Sequence, residues 1–258
     1  MMLKRGTYLL LFVLMTGTSY AQRVKLDSIR WINKDLGHLY FSRGHVYFNF
    51  VGFDKQRNSY SVAKDTLLLT DVYTSSADNF KVKHRTNAKF LIRDLTNSRL
   101  YLKAIDSTAI ALAGPDTYLF NNFKNSYDKD AKFSQIHFLS STCRDECPQL
   151  EINILPNGDY HLRGGENAEP YKGEFTGKLS PRQLDTLNYW IKHSELKKMY
   201  NWQQADTVAG APNYYLEISF ENSKKKLSIT TNQPPLNLTD LVLFLVSSYK
   251  KVQLAPVK

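Results

Sequence analysis

Leu39-Tyr40-Phe41-Ser42-Arg43-Gly44-His45-Val46-Tyr47-Phe48 reads as two strands around a two-residue loop. Gly44 takes positive φ at no steric cost, and pairing across Arg43-Gly44 sets Phe41 opposite Val46 and Leu39 opposite Phe48. Tyr40 and Tyr47 then meet on the other face, so the register is self-consistent. Working outward, short runs follow at Tyr60-Ser61-Val62, Thr66 to Leu69, Lys89 to Leu95, Arg99 to Ile105, Ile110-Ala111-Leu112 and Thr117 to Phe120. Each is bounded by Asp, Asn, Ser or Gly, and no amphipathic helix is evident. The pattern predicts an all-β domain, a small barrel or sandwich.

A second hairpin predicts a different domain downstream. Leu150, Ile152 and Ile154 alternate with polar residues up to Pro156-Asn157-Gly158. A two-residue loop there would pair Asn153 with Leu162 and mismatch the faces. A three-residue loop with Gly158 as a left-handed bulge pairs Ile154 with Tyr160, Ile152 with Leu162 and Glu151 with Arg163, like with like or opposite charges. Ser180-Pro181-Arg182-Gln183 starts a helix: Ser cap, Pro at the first position, Gln three residues on. Leu184, Leu187 and Ile191 line one face of it. Around Asn222-Ser223, Ile218 meets Leu227, Leu216 meets Ile229 and Glu221 meets Lys224. A last helix, about Asn237 to Lys251, is almost wholly apolar from Leu241 to Val246 and is expected to be buried. This is an α+β domain with an antiparallel sheet and two helices.

The 258 residues carry 34 Lys+Arg against 24 Asp+Glu, a net charge of +10, and are 42% hydrophobic, which excludes disorder and a multi-span membrane protein. Residues 22–132 hold 18 basic and 11 acidic side chains, every acid an Asp, whereas residues 133–258 hold 14 and 13 and all the Glu. With the polar stretch Asn121 to Asp130, this break predicts an all-β domain over 22–130 and the α+β domain over 131–258. Residues 1–21 are expected to be a cleaved signal peptide: Lys4 and Arg5, the apolar Tyr8 to Met15, then Ser19-Tyr20-Ala21 before Gln22. The apolar run is too short for a spanning helix and no Cys follows it, so the product is expected to be periplasmic or secreted, without a lipid anchor.

The run Tyr60-Ser61-Val62, Asp65-Thr66-Leu67-Leu68-Leu69, and Phe90-Leu91-Ile92 through Leu95-Thr96 to Leu100-Tyr101-Leu102 resembles small lipocalin-like domains of exported bacterial proteins. The resemblance implies an up-and-down barrel, with a ligand at its mouth or, as this size favours, filled by its own side chains. In the second domain, Thr142-Cys143-Arg144-Asp145-Glu146-Cys147-Pro148 stands between two strands. Leu150-Glu151-Ile152, the Asn157-Gly158 turn, Gly173, Gly177, Leu179-Ser180 and the terminal hairpin and helix follow. Together they resemble the bacterial domain-of-unknown-function family 6438 over about residues 134–252. The family's Cys-x-Gly-x-Cys-Pro motif has Asp145 here in place of its Gly, and Gln149-Leu150 replaces its usual Val-Tyr. No activity is assigned to that family, so the resemblance implies architecture alone.

Cys143 and Cys147 are the only cysteines. In an exported chain they most simply form a disulfide, the alternatives being a redox pair or two metal ligands. Redox chemistry usually wants Cys-x-x-Cys at a helix start, and zinc needs two more ligands, with only His137 and His161 nearby. Lys81, Lys83, His84, Arg85 and Lys89 cluster between two strands as a candidate anion site for polysaccharide or lipid headgroup, the alternative being a solvated loop. Without interleaved aromatics the cluster is no nucleic-acid surface. The sequence carries no Gly-x-Ser-x-Gly, His-Glu-x-x-His, phosphate-loop or dinucleotide fingerprint, so no catalytic residue, metal or cofactor is expected. Adjacent Asp145 and Glu146 are read as solvated, and Asp206 as turn chemistry. Two functions remain: a non-catalytic envelope protein binding a partner protein, glycan or lipid, or an unrecognised hydrolase with a site between the domains.

Overall fold

The computed structural model describes residues 26–49, 56–204 and 207–257. The signal-peptide reading of residues 1–21 and the reading of Asp206 lie outside them.

Eight strands close into an antiparallel barrel in sequence order. They are β1 (Arg30–Ile32), β2 (His38–Ser42), β3 (His45–Asn49), β4 (Gln56–Ala63), β5 (Thr66–Thr74), β6 (Lys83–Leu95), β7 (Arg99–Ala104) and β8 (Thr117–Asn122). The β2–β3 hairpin has the register read from sequence, Phe41↔Val46, Leu39↔Phe48 and Tyr40↔Tyr47. Its two loop residues both take positive φ, Arg43 at 51° and Gly44 at 75°. Phe41, Leu67, Phe90, Leu102 and Phe120 point inward with no accessible surface, so no water-sized space adjoins them and side chains fill the barrel at this level. Among the described residues, the barrel closes through two pairs between β1 and β8, Trp31↔Asn122 and Ile32↔Asn121.

Two expectations for this domain change. Ile110-Ala111-Leu112 is not a strand but part of helix α1 (Ser107–Ala113). The Asp106 side chain caps it by accepting from the Ala109 N–H at 2.8 Å, and Ala109 and Ala113 pack onto the barrel core. Strand β6 also begins at Lys83 rather than Lys89, because β5 runs on to Thr74 and pairs with it throughout.

The second domain is a seven-stranded antiparallel sheet, ordered β14-β13-β9-β10-β11-β12-β15. Its strands are β9 (Phe133–Ser140), β10 (Leu150–Ile154), β11 (Asp159–Gly164), β12 (Gly173–Lys178), β13 (Tyr214–Phe220), β14 (Leu227–Thr231) and β15 (Gln253–Pro256). The bulged β10–β11 loop is as read, with Ile154↔Tyr160, Ile152↔Leu162, Glu151↔Arg163 and Gly158 at φ 86°. Helices α2 (Pro181–His193) and α3 (Leu236–Ser248) cover one face, packing Leu187, Ile191, Leu241 and Leu245 against Phe138, Ile152 and Leu162. The capping box at Ser180 and Gln183 is present. Two details differ from the sequence reading. The β13–β14 ladder ends at Ile218↔Leu227, so Glu221 and Lys224 lie beyond it, and Lys226 pairs with Glu217 instead at 2.8 Å. Helix α3 is not buried all round, because Leu243 is 57% exposed.

The polar stretch between the domains is fastened down. The Asp128 N–H donates to the Lys192 carbonyl at 2.8 Å, the Ser126 hydroxyl donates to Glu195 at 2.6 Å, and Lys197 pairs with Asp128 at 2.9 Å. Arg30 of the barrel also pairs with Asp240 of α3.

Candidate functional site

Period-two alternation sends Ile136, Phe138, Ile152, Ile154, Tyr160 and Leu162 under the helices and turns the residues between them outward. The register aligns these outward residues in rows across five strands. One row runs Tyr215, Leu139, Glu151, Arg163, Glu174, and the next Glu217, His137, Asn153, His161, Thr176. All ten are partly or fully exposed. Strands far apart in sequence thus assemble one polar face.

Several polar groups on this face are in contact with one another. His137 Nε2 lies 3.2 Å from Glu151 Oε1 and His161 Nε2 lies 3.9 Å from Glu174 Oε2. Glu217 accepts from the Tyr215 hydroxyl at 3.1 Å and from Lys226 at 2.8 Å. The Lys226 hydrogen bond holds the Glu217 carboxyl below the usual carboxylate range. The Tyr215 ring meets His137 edge-on, with centroids 6.0 Å apart. At the end of the face nearer the cysteines, a groove of about 760 Å³ is lined by Leu139, Ser141, Glu151, Arg163, Tyr215 and Thr230, among others.

Cys143 and Cys147 are joined by a disulfide that cinches the β9–β10 connection. The loop is tied to its neighbours by the Arg144 N–H donating to the Gly210 carbonyl at 2.9 Å, and its exit by the Ser140 hydroxyl donating to the Pro148 carbonyl at 2.7 Å. Arg144, Asp145 and Glu146 are exposed on its outer turn. Among the described residues, no group of three or more His, Cys, Asp and Glu is placed to hold a metal ion.

The basic residues singled out in the first domain form a row rather than a loop. Lys83, Arg85 and Lys89 lie on the exposed face of β6 at every second position, opposite Thr74, Val72 and Leu68, with Lys81 in the turn before them. At about 3.3 Å per residue, Lys89 stands roughly 20 Å along the strand from Lys83, too far to share one small anion. His84 projects to the other face, where Asp78 takes its Nε2 at 2.5 Å and Tyr73 stacks on its ring. Sequence reasoning missed the ten-residue polar face altogether; its signal, the odd-numbered positions of β9, β10 and β11, was visible only as the back of three amphipathic strands.

Among the described residues, no helix is long and apolar enough to cross a membrane. Residues 134–247 match the family model described as Domain of unknown function (DUF6438). No curated protein and no solved structure matches the chain. The matched residues run from β9 into α3 and take in the cysteine loop and all ten residues of the polar face. Most of the second domain thus matches this family model, and the matched stretch follows an eight-stranded closed β-barrel.

Proposed function

We propose that this is an exported, non-catalytic binding protein of the cell envelope, and that the polar face of the second domain is its ligand surface. Support for export is the charged start, the short apolar run and the Ser19-Tyr20-Ala21 junction. The observation that carries the binding reading is the row of planar hydrogen-bonding groups on that face, His137 beside Glu151, His161 beside Glu174 and Glu217 with Lys226. A surface that offers planar hydrogen-bonding groups beside Tyr215 and Leu139 suits a polyhydroxylated ligand. The ligand class is therefore a glycan, held by hydrogen bonds and by stacking on an aromatic ring.

The hydrolase reading finds less support. Several side chains at the domain junction are engaged with one another, Arg30 with Asp240, Lys197 with Asp128 and Ser126 with Glu195.

Calorimetric titration with envelope-derived oligosaccharides tests the proposal. Tyr215→Ala and Glu151→Gln should each weaken binding about tenfold, the scale of one stacking contact or one hydrogen bond to a charged group. A wild-type chain that binds no saccharide, or binding indifferent to both changes, would defeat it.

A further inference from the structure

The longest hairpin of the barrel extends past it. β4 accompanies β5 only as far as Ser59↔Thr70, and β7 accompanies β6 only as far as Phe90↔Ala104. Beyond Thr70, among the described residues, the β5–β6 pair continues without a third strand through Asp71↔Thr86, Val72↔Arg85, Tyr73↔His84 and Thr74↔Lys83. Four rungs at about 3.3 Å make an arm of roughly 13 Å, plus its turn. In an up-and-down barrel β5–β6 and β7–β8 turn at the same end, so the arm stands beside α1 and opposite the end where β8 leaves for the second domain.

The arm is apolar where it should be polar. Phe80 is 64% exposed, and Val72 and Val82 are each 51% exposed. Phe80 also sits at φ 61°, a left-handed conformation that suits Gly or Asn and strains a bulky residue. Its N–H donates to the Ser75 carbonyl at 2.8 Å, which holds the turn in this shape. A strained turn that keeps a phenylalanine in water gains nothing for the fold. Close to it in sequence are Lys81, Lys83 and Arg85, while the carboxylate of Asp78 is engaged by His84. On α1, at the same end, Ile110 is exposed as well.

We infer that the β5–β6 arm docks on an anionic lipid bilayer, with Phe80 and Val82 entering the interface and Lys81, Lys83 and Arg85 meeting the headgroups. Apolar side chains at a projecting turn ringed by cations match the two layers of such a surface, a negative headgroup plane over hydrocarbon. A soluble polyanion would use the cations and leave Phe80 without a role. This site is separate from the glycan face and stands or falls independently of it.

The test is co-flotation of the chain from Gln22 onward, which contains every described residue, with vesicles of phosphatidylcholine alone or with 30% phosphatidylglycerol, the latter fraction being a choice of roughly physiological charge density. The wild type should partition onto the anionic vesicles and not the neutral ones. Lys81→Gln, Lys83→Gln and Arg85→Gln together should lower partitioning about 100-fold, at about fivefold per charge removed. Phe80→Asp with Val82→Asp should abolish it, and Lys124→Gln, Lys129→Gln and Lys224→Gln, exposed elsewhere, should leave it within about twofold. All the changes are at exposed positions, and circular dichroism melts identical to wild type verify the fold. Equal partitioning onto both vesicle types would overturn the inference. So would binding that survives the Phe80 and Val82 changes, which would assign the cations to a polyanion instead.

Discussion

Cys143 and Cys147 close a ring of five residues, and the worth of that closure follows from its size. Chain entropy gives about 2 kcal/mol for so short a loop, against roughly 5–15 kcal/mol for a domain. The bridge therefore pins the turn that carries Arg144, Asp145 and Glu146 without deciding whether the domain folds. The double variant Cys143→Ser, Cys147→Ser should keep its circular dichroism spectrum and melt roughly 5–10 °C lower, the shift expected for about 2 kcal/mol in a domain of this size. Scanning calorimetry reads this directly, and an unchanged melting temperature or an unfolded variant would contradict it. At this scale the sequence was legible, since the chain's two cysteines, four positions apart, have one simple partner each.

Strand β15 is held at the sheet edge by a glycine. A Cβ on Gly177 would stand 2.4 Å from the Gln253 carbonyl oxygen, a backbone atom that cannot swing aside. Gly177→Ala should therefore push β15 away from β12, destabilise the domain by about 1–3 kcal/mol and speed amide exchange at Gln253 and Leu254. Hydrogen-exchange mass spectrometry would show it, and unaltered protection at those two residues would count against it. Neither partner of this pairing was marked by the alternation that revealed the other strands, β12 being interrupted by glycines and β15 ending at Pro256. The hairpins at Gly44 and Gly158 were legible because their pattern and turn residues lie within about ten positions of each other. Helix α1 was not, since Ile110-Ala111-Leu112 is apolar enough for a strand and only the Asp106 cap announces a helix. The polar face was hidden for another reason: it exists only once β13 pairs with β9 across more than 70 positions of chain, a long-range choice that no local pattern encodes.

The two domains are joined by a segment whose fastening titrates. His193, at the end of α2, lies buried with its ring 4.2 Å from that of Tyr189 and 5.4 Å from that of Tyr127, and the Lys192 ammonium lies over the Tyr127 ring. Burial pushes its imidazole below the ordinary histidine value of 6.5, with a Ser126 backbone hydrogen bond opposing. The unfolded ring takes its proton near that ordinary value and the folded ring only at lower pH. Between the two the unfolded state binds more protons, so this stability is present above about pH 6.5 and lost as pH falls through the lowered folded value. Limited proteolysis at pH 7.5 should accordingly spare residues 123–132, and acidification to about pH 5 should expose them. His193→Phe should remove much of that acid sensitivity; cleavage there at neutral pH, or acid sensitivity unmoved by the substitution, would refute the account. The same segment leaves β8 at Asn122, in one of the two rungs that, among the described residues, shut the barrel against β1. Tension between the domains would thus peel that seam open one rung at a time, as a zipper parts from its end, while the Arg30–Asp240 bridge diverts part of the pull onto β1 itself. Among the described residues the barrel seam with the fewest pairs is thus the one next to the second domain, and mechanical load between the domains would be felt there first.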